Sequence, residues 1–123
     1  MVVVGESDLG AGRIWNLSLP KGSAGTPAMK AFLTAIGPLK VIVNATPPRF
    51  GGSDVEGLIA AGAPFVDFNQ DASRYFDLHH AADDTLDKID PAELAQNVAV
   101  WAAFLYTVAD SDIDFRKAGA EAK

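Results

Sequence analysis

The stretch DPAELAQNVAVWAAFLYTVAD, residues 90–110, is the clearest structural element in the sequence. Asp90 precedes a proline, and Glu93 stands three residues after Asp90, which is the pattern of a capping box that opens a helix. Apolar side chains then recur at helical spacing and form a wide arc, made by Leu94, Val98, Trp101, Leu105 and Val108 and widened by Val100 and Phe104. An arc this wide predicts burial against a sheet and against a further neighbour.

Four short segments before this helix have the composition of β-strands. They are rich in β-branched residues or alternate apolar with polar residues, and they cover residues 2–4, 13–19, 41–43 and 64–68. Strands that alternate with helices predict an α/β fold with a mixed, mainly parallel sheet covered by helices. A sheet of so few strands has an open edge. We therefore expect another segment, or a second copy of the chain, to complete the sheet.

Two further helices are predicted between the strands. The first covers residues 26–36, with Thr26 as its N-cap and a proline at its first position. The second is short, is capped by Ser53 or Asp54 and ends at a glycine. Residues 112–123 are polar, and we expect them to form a frayed tail.

Composition excludes several classes of protein. The chain has 123 residues, a net charge of −6 and no cysteine, which fits one globular domain without disulfides, thiol catalysis or cysteine-bound zinc. Its negative charge repels nucleic acid and anionic membranes, and lysines and arginines are scattered singly. The apolar run at 100–108 is too short to span a membrane, so we expect neither nucleic acid nor membrane as a partner.

Both histidines of the chain are adjacent, at His79 and His80, in a segment with no clear helical or strand period. Acidic residues follow at Asp83 and Asp84, so one imidazole is a candidate metal ligand with a carboxylate to orient it. The alternative is a solvated surface pair, and the local sequence does not separate the two.

Asp8 is a second candidate, because it follows the strand predicted over residues 2–4, and α/β sites form at strand ends. It equally suits a turn or a helix cap. The run Gly51-Gly52-Ser53-Asp54 suits either a backbone anion site or a turn with an N-cap. No short metal-binding motif links these positions.

Several short pieces nevertheless stand in a distinctive order. They are Glu6-Ser7-Asp8, Gly51-Gly52-Ser53-Asp54, Ala61-Gly62-Ala63-Pro64, Tyr75-Phe76, His79-His80, Asp84-Thr85 and Asp90-Pro91. In this order, the chain resembles the C-terminal part of di-zinc metallopeptidases of the carboxypeptidase Q and zinc aminopeptidase family. The resemblance implies that residues 1–111 are the C-terminal part of a catalytic domain with a three-layer α/β/α zinc-exopeptidase (phosphorylase/hydrolase-like) fold.

The resemblance also implies roles for individual residues. Asp8 is expected to bind one of two zinc ions, and His80, four residues before Asp84, the other. His79 is a candidate oxyanion stabiliser, and Asp84 is expected to hold the loop without binding metal. The implied reaction is hydrolysis of short peptides or dipeptides by metal-activated water, in a periplasmic or secreted enzyme.

The sequence departs from the family in one respect. The family also requires an upstream His-x-Asp segment and a Glu-Glu pair, and the sequence contains neither. Because a catalytic zinc generally takes three protein ligands, we expect the chain by itself to be inactive. The alternatives are a non-catalytic α/β interaction domain that retains the peptidase scaffold, and a homodimer that assembles a site between chains.

Overall fold

The computed structural model describes residues 2–49 and 52–121, and its centre is a three-stranded sheet. The strands are β1 (Ile14–Ser18), β2 (Ile42–Val43) and β3 (Asp67–Gln70), in the order β2-β1-β3. β1 runs parallel to β2 and antiparallel to β3. The mixed sheet, flanked by helices, confirms the predicted α/β class.

The strand predicted at residues 2–4 is reduced to one parallel bridge, between Val4 and Phe65. The Val4 N–H donates to the Pro64 carbonyl at 2.9 Å, and the Val66 N–H donates to the Val4 carbonyl at 2.9 Å. The residues just before β3 therefore hold the start of the chain.

Five helices accompany the sheet: α1 (Pro27–Ile36), α2 (Glu56–Ala60), α3 (Tyr75–Leu78), α4 (Pro91–Ala109) and α5 (Phe115–Glu121). Single 3-10 turns occur at Ser23–Gly25, Gly37–Leu39 and Leu86–Lys88. Within the described residues, none of the helices has the length and apolar character needed to cross a membrane.

Two predicted helix caps are confirmed. The Thr26 hydroxyl accepts the Met29 N–H at 3.3 Å, and one Asp90 carboxylate oxygen accepts the N–H groups of Ala92 and Glu93 at 2.7 and 3.3 Å. Each side chain satisfies donors that the first helical turn leaves without a partner.

The predicted cap of α2 is wrong. α2 begins at Glu56, and neither Ser53 nor Asp54 caps it, because a turn over residues 53–55 comes first. The Asp54 N–H instead donates to the Glu6 carboxylate at 3.0 Å. Gly51 lies outside the described residues, so its part in the predicted glycine-rich site stays a prediction.

The core lies between α1, α4 and one face of the sheet. Phe32 of α1 and Phe68 of β3 both meet Phe104 of α4 edge to face, with ring centroids 5.4 and 5.2 Å apart. Leu17 of β1 is fully buried beneath them. Aromatic rings at this geometry attract one another in addition to the area they bury.

The opposite face of the sheet is polar. The Asn69 amide donates to Asn16 at 2.8 Å and to Asp67 at 3.0 Å, and the Asn44 amide donates to Ser18 at 2.7 Å. Burial raises the pKa of the Asp67 carboxyl, and the hydrogen bond from Asn69 opposes that rise. One face of the sheet thus packs apolar side chains into the core, whereas the other carries hydrogen-bonded polar side chains.

The buried side of α4 differs from the predicted arc. Val100 and Phe104 are buried, but Leu94, Val98 and Leu105 are 41%, 59% and 58% exposed. The helix is rotated from the expected orientation because two polar side chains, Gln96 and Asn97, lie on its buried side.

Gln96 connects α4 to β1 through two hydrogen bonds. Its Oε1 accepts the Ile14 N–H at 2.9 Å, and its Nε2 donates to the Ile14 carbonyl at 2.8 Å. The Gln96 side chain thereby bonds the backbone of Ile14 in the way that a neighbouring strand would. Both residues are buried, so each bond satisfies a backbone group that has no access to water.

Gln70 and Asn97 extend these contacts along residues 9–12. Gln70 accepts the Leu9 N–H at 3.2 Å and donates to the Gly10 carbonyl and to Asn97 Oδ1, at 2.5 and 3.0 Å. Asn97 donates in turn to the Gly12 carbonyl at 2.5 Å. Gln70, Gln96 and Asn97, which we call the amide cluster, therefore hold residues 9–14 against the sheet and α4.

The prediction that residues 112–123 fray is wrong for the described part of that segment. Phe115, at the start of α5, is 2% exposed and its ring lies 6.4 Å from that of Phe104. Asp114 accepts the Arg116 and Lys117 N–H groups at 3.0 and 3.3 Å and so caps the helix. Phe115, together with the partly buried Ile113, therefore anchors this mostly polar segment to the core.

Replacement of Gln96 by leucine is expected to destabilise the fold by about 3 kcal/mol, since the buried N–H and carbonyl of Ile14 both lose their partner. Urea unfolding followed by far-UV circular dichroism measures the change. Thr34→Val is the control, because it removes an exposed hydroxyl that bonds only within α1, and it should change stability by less than about 0.5 kcal/mol. Equal midpoints for the two variants would refute the role given to Gln96.

Replacement of Phe115 by alanine should also lower stability by about 3 kcal/mol, because it leaves a cavity beside Phe104. Arg116 is exposed, so the neighbouring variant Arg116→Ala should change the free energy of unfolding by less than about 0.5 kcal/mol and leave the thermal midpoint nearly unchanged. If Phe115→Ala melts like the unmodified chain, α5 is not part of the cooperative fold.

Candidate functional site

Asp8 lies on the loop that follows the Val4 bridge, and its side chain is exposed. The amide cluster holds the backbone immediately after it, at Leu9, Gly10 and Gly12. An exposed carboxylate on a firmly held loop is presented to solvent in a defined place, which is what a ligand-binding group requires.

Gly12 brings this loop against the segment that follows β3. A Cβ at Gly12 would overlap the carbonyl oxygen of Asp71, so the close approach requires glycine. The Asp71 N–H donates to the Arg13 carbonyl at 2.8 Å. The Asp71 carboxylate accepts a hydrogen bond from the Ser73 N–H at 2.9 Å, and hydrogen bonds from Ser73 lower the pKa of Asp71.

His79 and His80 follow α3 directly, and both are exposed. The His79 N–H donates to the Tyr75 carbonyl at 2.8 Å, and the two imidazole rings stack with centroids 3.8 Å apart. His80 has a left-handed backbone, with φ of 58°. That conformation costs a non-glycine residue about 1 kcal/mol and is concentrated at functional sites.

Tyr75 lies where the Asp8 loop and the histidine turn meet. Its ring is 4.6 Å from that of His79, centroid to centroid. Removal of the phenol from water raises its pKa, and the negative charges of Asp8 and Asp84 raise it further. A Cβ built on Gly10, two residues after Asp8, would lie in contact with the Tyr75 ring, so the fold brings the Asp8 loop and the histidine turn together at Tyr75.

A cleft of about 470 Å³ opens beside Tyr75. Three segments line it: residues 9–12, residues from Asp71 to His79, and residues from Asp84 to Glu93. His79 and Asp84 are part of its wall, whereas Asp8 and His80 are outside its lining. The cleft carries both signs of charge, so it can receive a polar ligand at the same end of the molecule as the predicted metal ligands.

Asp8 and His80 have the chemistry of zinc ligands, a carboxylate oxygen and an imidazole nitrogen. Over residues 2–49 and 52–121, however, no three acidic, histidine or cysteine side chains are grouped closely enough to hold a metal ion. A complete zinc site does not fit this part of the chain, because a zinc ion here would lack its third protein ligand.

Sequence reasoning missed the residues that position the site. Gln70, Gln96 and Asn97 carry no motif, although two adjacent amides among the alanines and apolar residues of α4 are a signal of polar contacts on a buried side. Tyr75 belongs to the ordered set of short pieces, but only the fold brings its ring against Gly10 of the Asp8 loop.

Known proteins with a similar sequence are peptidases by name. Carboxypeptidase Q of Mus musculus is 32% identical to this chain over 113 residues, and that of Xenopus laevis is 32% identical over 114 residues. Human carboxypeptidase Q is 29% identical over 110 residues. Each match covers 89% of this chain but 23% of the relative, so the chain spans about a quarter of their length. No protein-family model matches the chain.

A solved structure agrees with these relatives. The crystal structure of a Peptidase M28 precursor from Shewanella amazonensis SB2B superposes with a TM-score of 0.79 and 42% sequence identity. The superposition covers 91% of this chain and 25% of the Shewanella chain. The chain is therefore similar in sequence and in fold to carboxypeptidase Q and to an M28 peptidase, and it matches about a quarter of the length of those relatives.

Proposed function

We propose that this chain forms part of a zinc-dependent exopeptidase that hydrolyses short peptides or dipeptides. The observation that carries the proposal is the meeting of the Asp8 loop, through Gly10, and the histidine turn at Tyr75, beside an open cleft. These are the two segments to which the family resemblance assigns metal ligands. The peptidase names of the relatives support the same class of reaction.

Within the proposal, Asp8 binds one zinc ion and His80 binds the other. The firmly held loop supports the Asp8 carboxylate, and the His80 imidazole lies stacked on that of His79 just after the end of α3. Bound zinc would supply Lewis acidity and a water that ionises near neutral pH.

The neighbouring residues have supporting roles. We propose that His79 donates a hydrogen bond to the substrate carbonyl oxygen as negative charge develops there, a role that its position on the wall of the cleft supports. Asp84 has the supporting role that the resemblance implies, in the turn just after the histidines, where its N–H donates to the Ala81 carbonyl at 3.1 Å. The Tyr75 ring packs against that of His79, tilted by 35°.

The remaining zinc ligands and the general base would come from polypeptide equivalent to the other three quarters of the relatives. On this proposal the isolated chain is inactive. We also propose export from the cytoplasm, as the resemblance implies.

A chimera tests the proposal without requiring the missing polypeptide to bind from solution. The quarter of the Shewanella peptidase that matches this chain is replaced by this chain, and hydrolysis of short peptides is measured with and without chelator. We expect zinc-dependent hydrolysis. His80→Ala and Asp8→Ala should each lower kcat/KM by about 100-fold or more, because each removes a metal ligand.

Asp83→Ala is the matched control, because Asp83 is an exposed carboxylate in the same turn with no proposed role. It should retain activity within about threefold. A chimera that remains fully active with His80→Ala would exclude His80 as a ligand. A folded chimera without any hydrolysis would reject the proposed function itself.

A further inference from the structure

The outward side of α4 carries no charge. Residues 94–109 contain no aspartate, glutamate, lysine or arginine, although α4 lies at the surface along this length. Leu94, Val98, Leu105 and Tyr106 are 41%, 59%, 58% and 70% exposed. A helix that faces water normally carries charged residues on that side, so a continuous uncharged face of this kind marks an interaction surface.

The spacing of these residues is that of a helix–helix contact. Leu94, Val98, Trp101 and Leu105 follow one another at intervals of four, three and four residues, which places them in one line along the helix. Exposed alanines flank the line at 95, 99 and 102, and their small size permits close approach of a second helix. We call this line and its alanines the α4 seam.

The α4 seam borders the proposed metal site. It forms an open groove together with Ser7, Gly10, Ala11 and Gln70, which belong to the Asp8 loop or support it. A helix that lay in the groove would contact the loop on either side of Asp8. Polypeptide bound there would bring its own side chains close to the Asp8 carboxylate.

We propose that the α4 seam binds a helix of the polypeptide that carries the rest of the peptidase domain. The identity of this partner rests on the proposed function. This chain matches about a quarter of each relative. The other three quarters of polypeptide of that kind would supply such a helix. The exposed side chain of Ile42, at the edge of the sheet, offers the same partner a second contact.

Two other occupants fit the surface less well. A lipid surface is disfavoured because the net charge is −6 and because an interfacial helix carries lysines and arginines beside its apolar face, which residues 94–109 lack. A second copy has the same negative charge. The seam is about 18 Å long and about 10 Å wide, so its area of roughly 180 Å² is well below the roughly 800 Å² per partner that a stable dimer buries.

The test is co-expression of this chain, bearing an affinity tag, with the part of the Shewanella peptidase that this chain does not match. We expect the two polypeptides to copurify as a 1:1 complex by light scattering. Val98→Glu, which would place an unpaired charge in the contact, should weaken binding on the order of 100-fold. Leu86→Glu is the matched control, since Leu86 is 82% exposed and lies outside the seam, and it should bind like the unmodified chain.

The outcomes separate this proposal from the proposed function. Absence of copurification, or a complex that Val98→Glu leaves intact, would overturn the docking proposal. Dimers of the chain alone that Val98→Glu dissociates would assign the seam to a second copy, and cosedimentation with phosphatidylcholine vesicles that Val98→Glu abolishes would assign it to lipid. A complex that forms as expected but does not hydrolyse peptides with zinc would leave docking correct and the proposed function wrong.

Discussion

The pairing of Gln96 with both backbone groups of Ile14 is the contact on which the rest of the structure depends. It crosses from the second turn of α4 to the first residue of β1, and both partners are buried. A side chain that donates and accepts at once fixes the rotation of α4 about its axis as well as its position. The remaining two members of the amide cluster then attach residues 9–12 to the same helix and to β3.

This rotation has consequences on both sides of α4. On the inner side it places Phe104 against Phe32 and Phe68, at the centre of the core. On the outer side it turns Val98 and Leu105 toward solvent. Burial of amides thus holds the Asp8 loop in place, at the expense of apolar residues that remain exposed. A partner that covers them would recover the hydrophobic free energy that the isolated chain forgoes.

Much of the fold could be predicted from local chemistry. The caps at Thr26 and Asp90 follow from side chains that satisfy the free N–H groups of a helix start, and the position of β1 follows from apolar alternation. The inward side of α4 could not, because periodicity favours the apolar arc and gives no weight to Gln96 and Asn97. Phe115 was missed for a similar reason, since a single aromatic residue in a polar segment has no periodicity.

The candidate site was predictable in part. Asp8 and the histidine pair were identified through an ordered set of short pieces, while local sequence left each of them open to an ordinary structural explanation. Their convergence at Tyr75 depends on contacts between residues more than 60 positions apart, which no local pattern contains. Tertiary structure was therefore needed to bring the two segments together.

In the proposed enzyme, Asp8 and His80 each bind a different zinc ion. Anomalous diffraction at the zinc edge, from crystals of the Shewanella chimera, measures this directly. We expect two zinc peaks, one within about 2.2 Å of an Asp8 carboxylate oxygen and the other within about 2.2 Å of an imidazole nitrogen of His80. Two occupied zinc sites with neither residue in contact, or one ion bound by both, would contradict it.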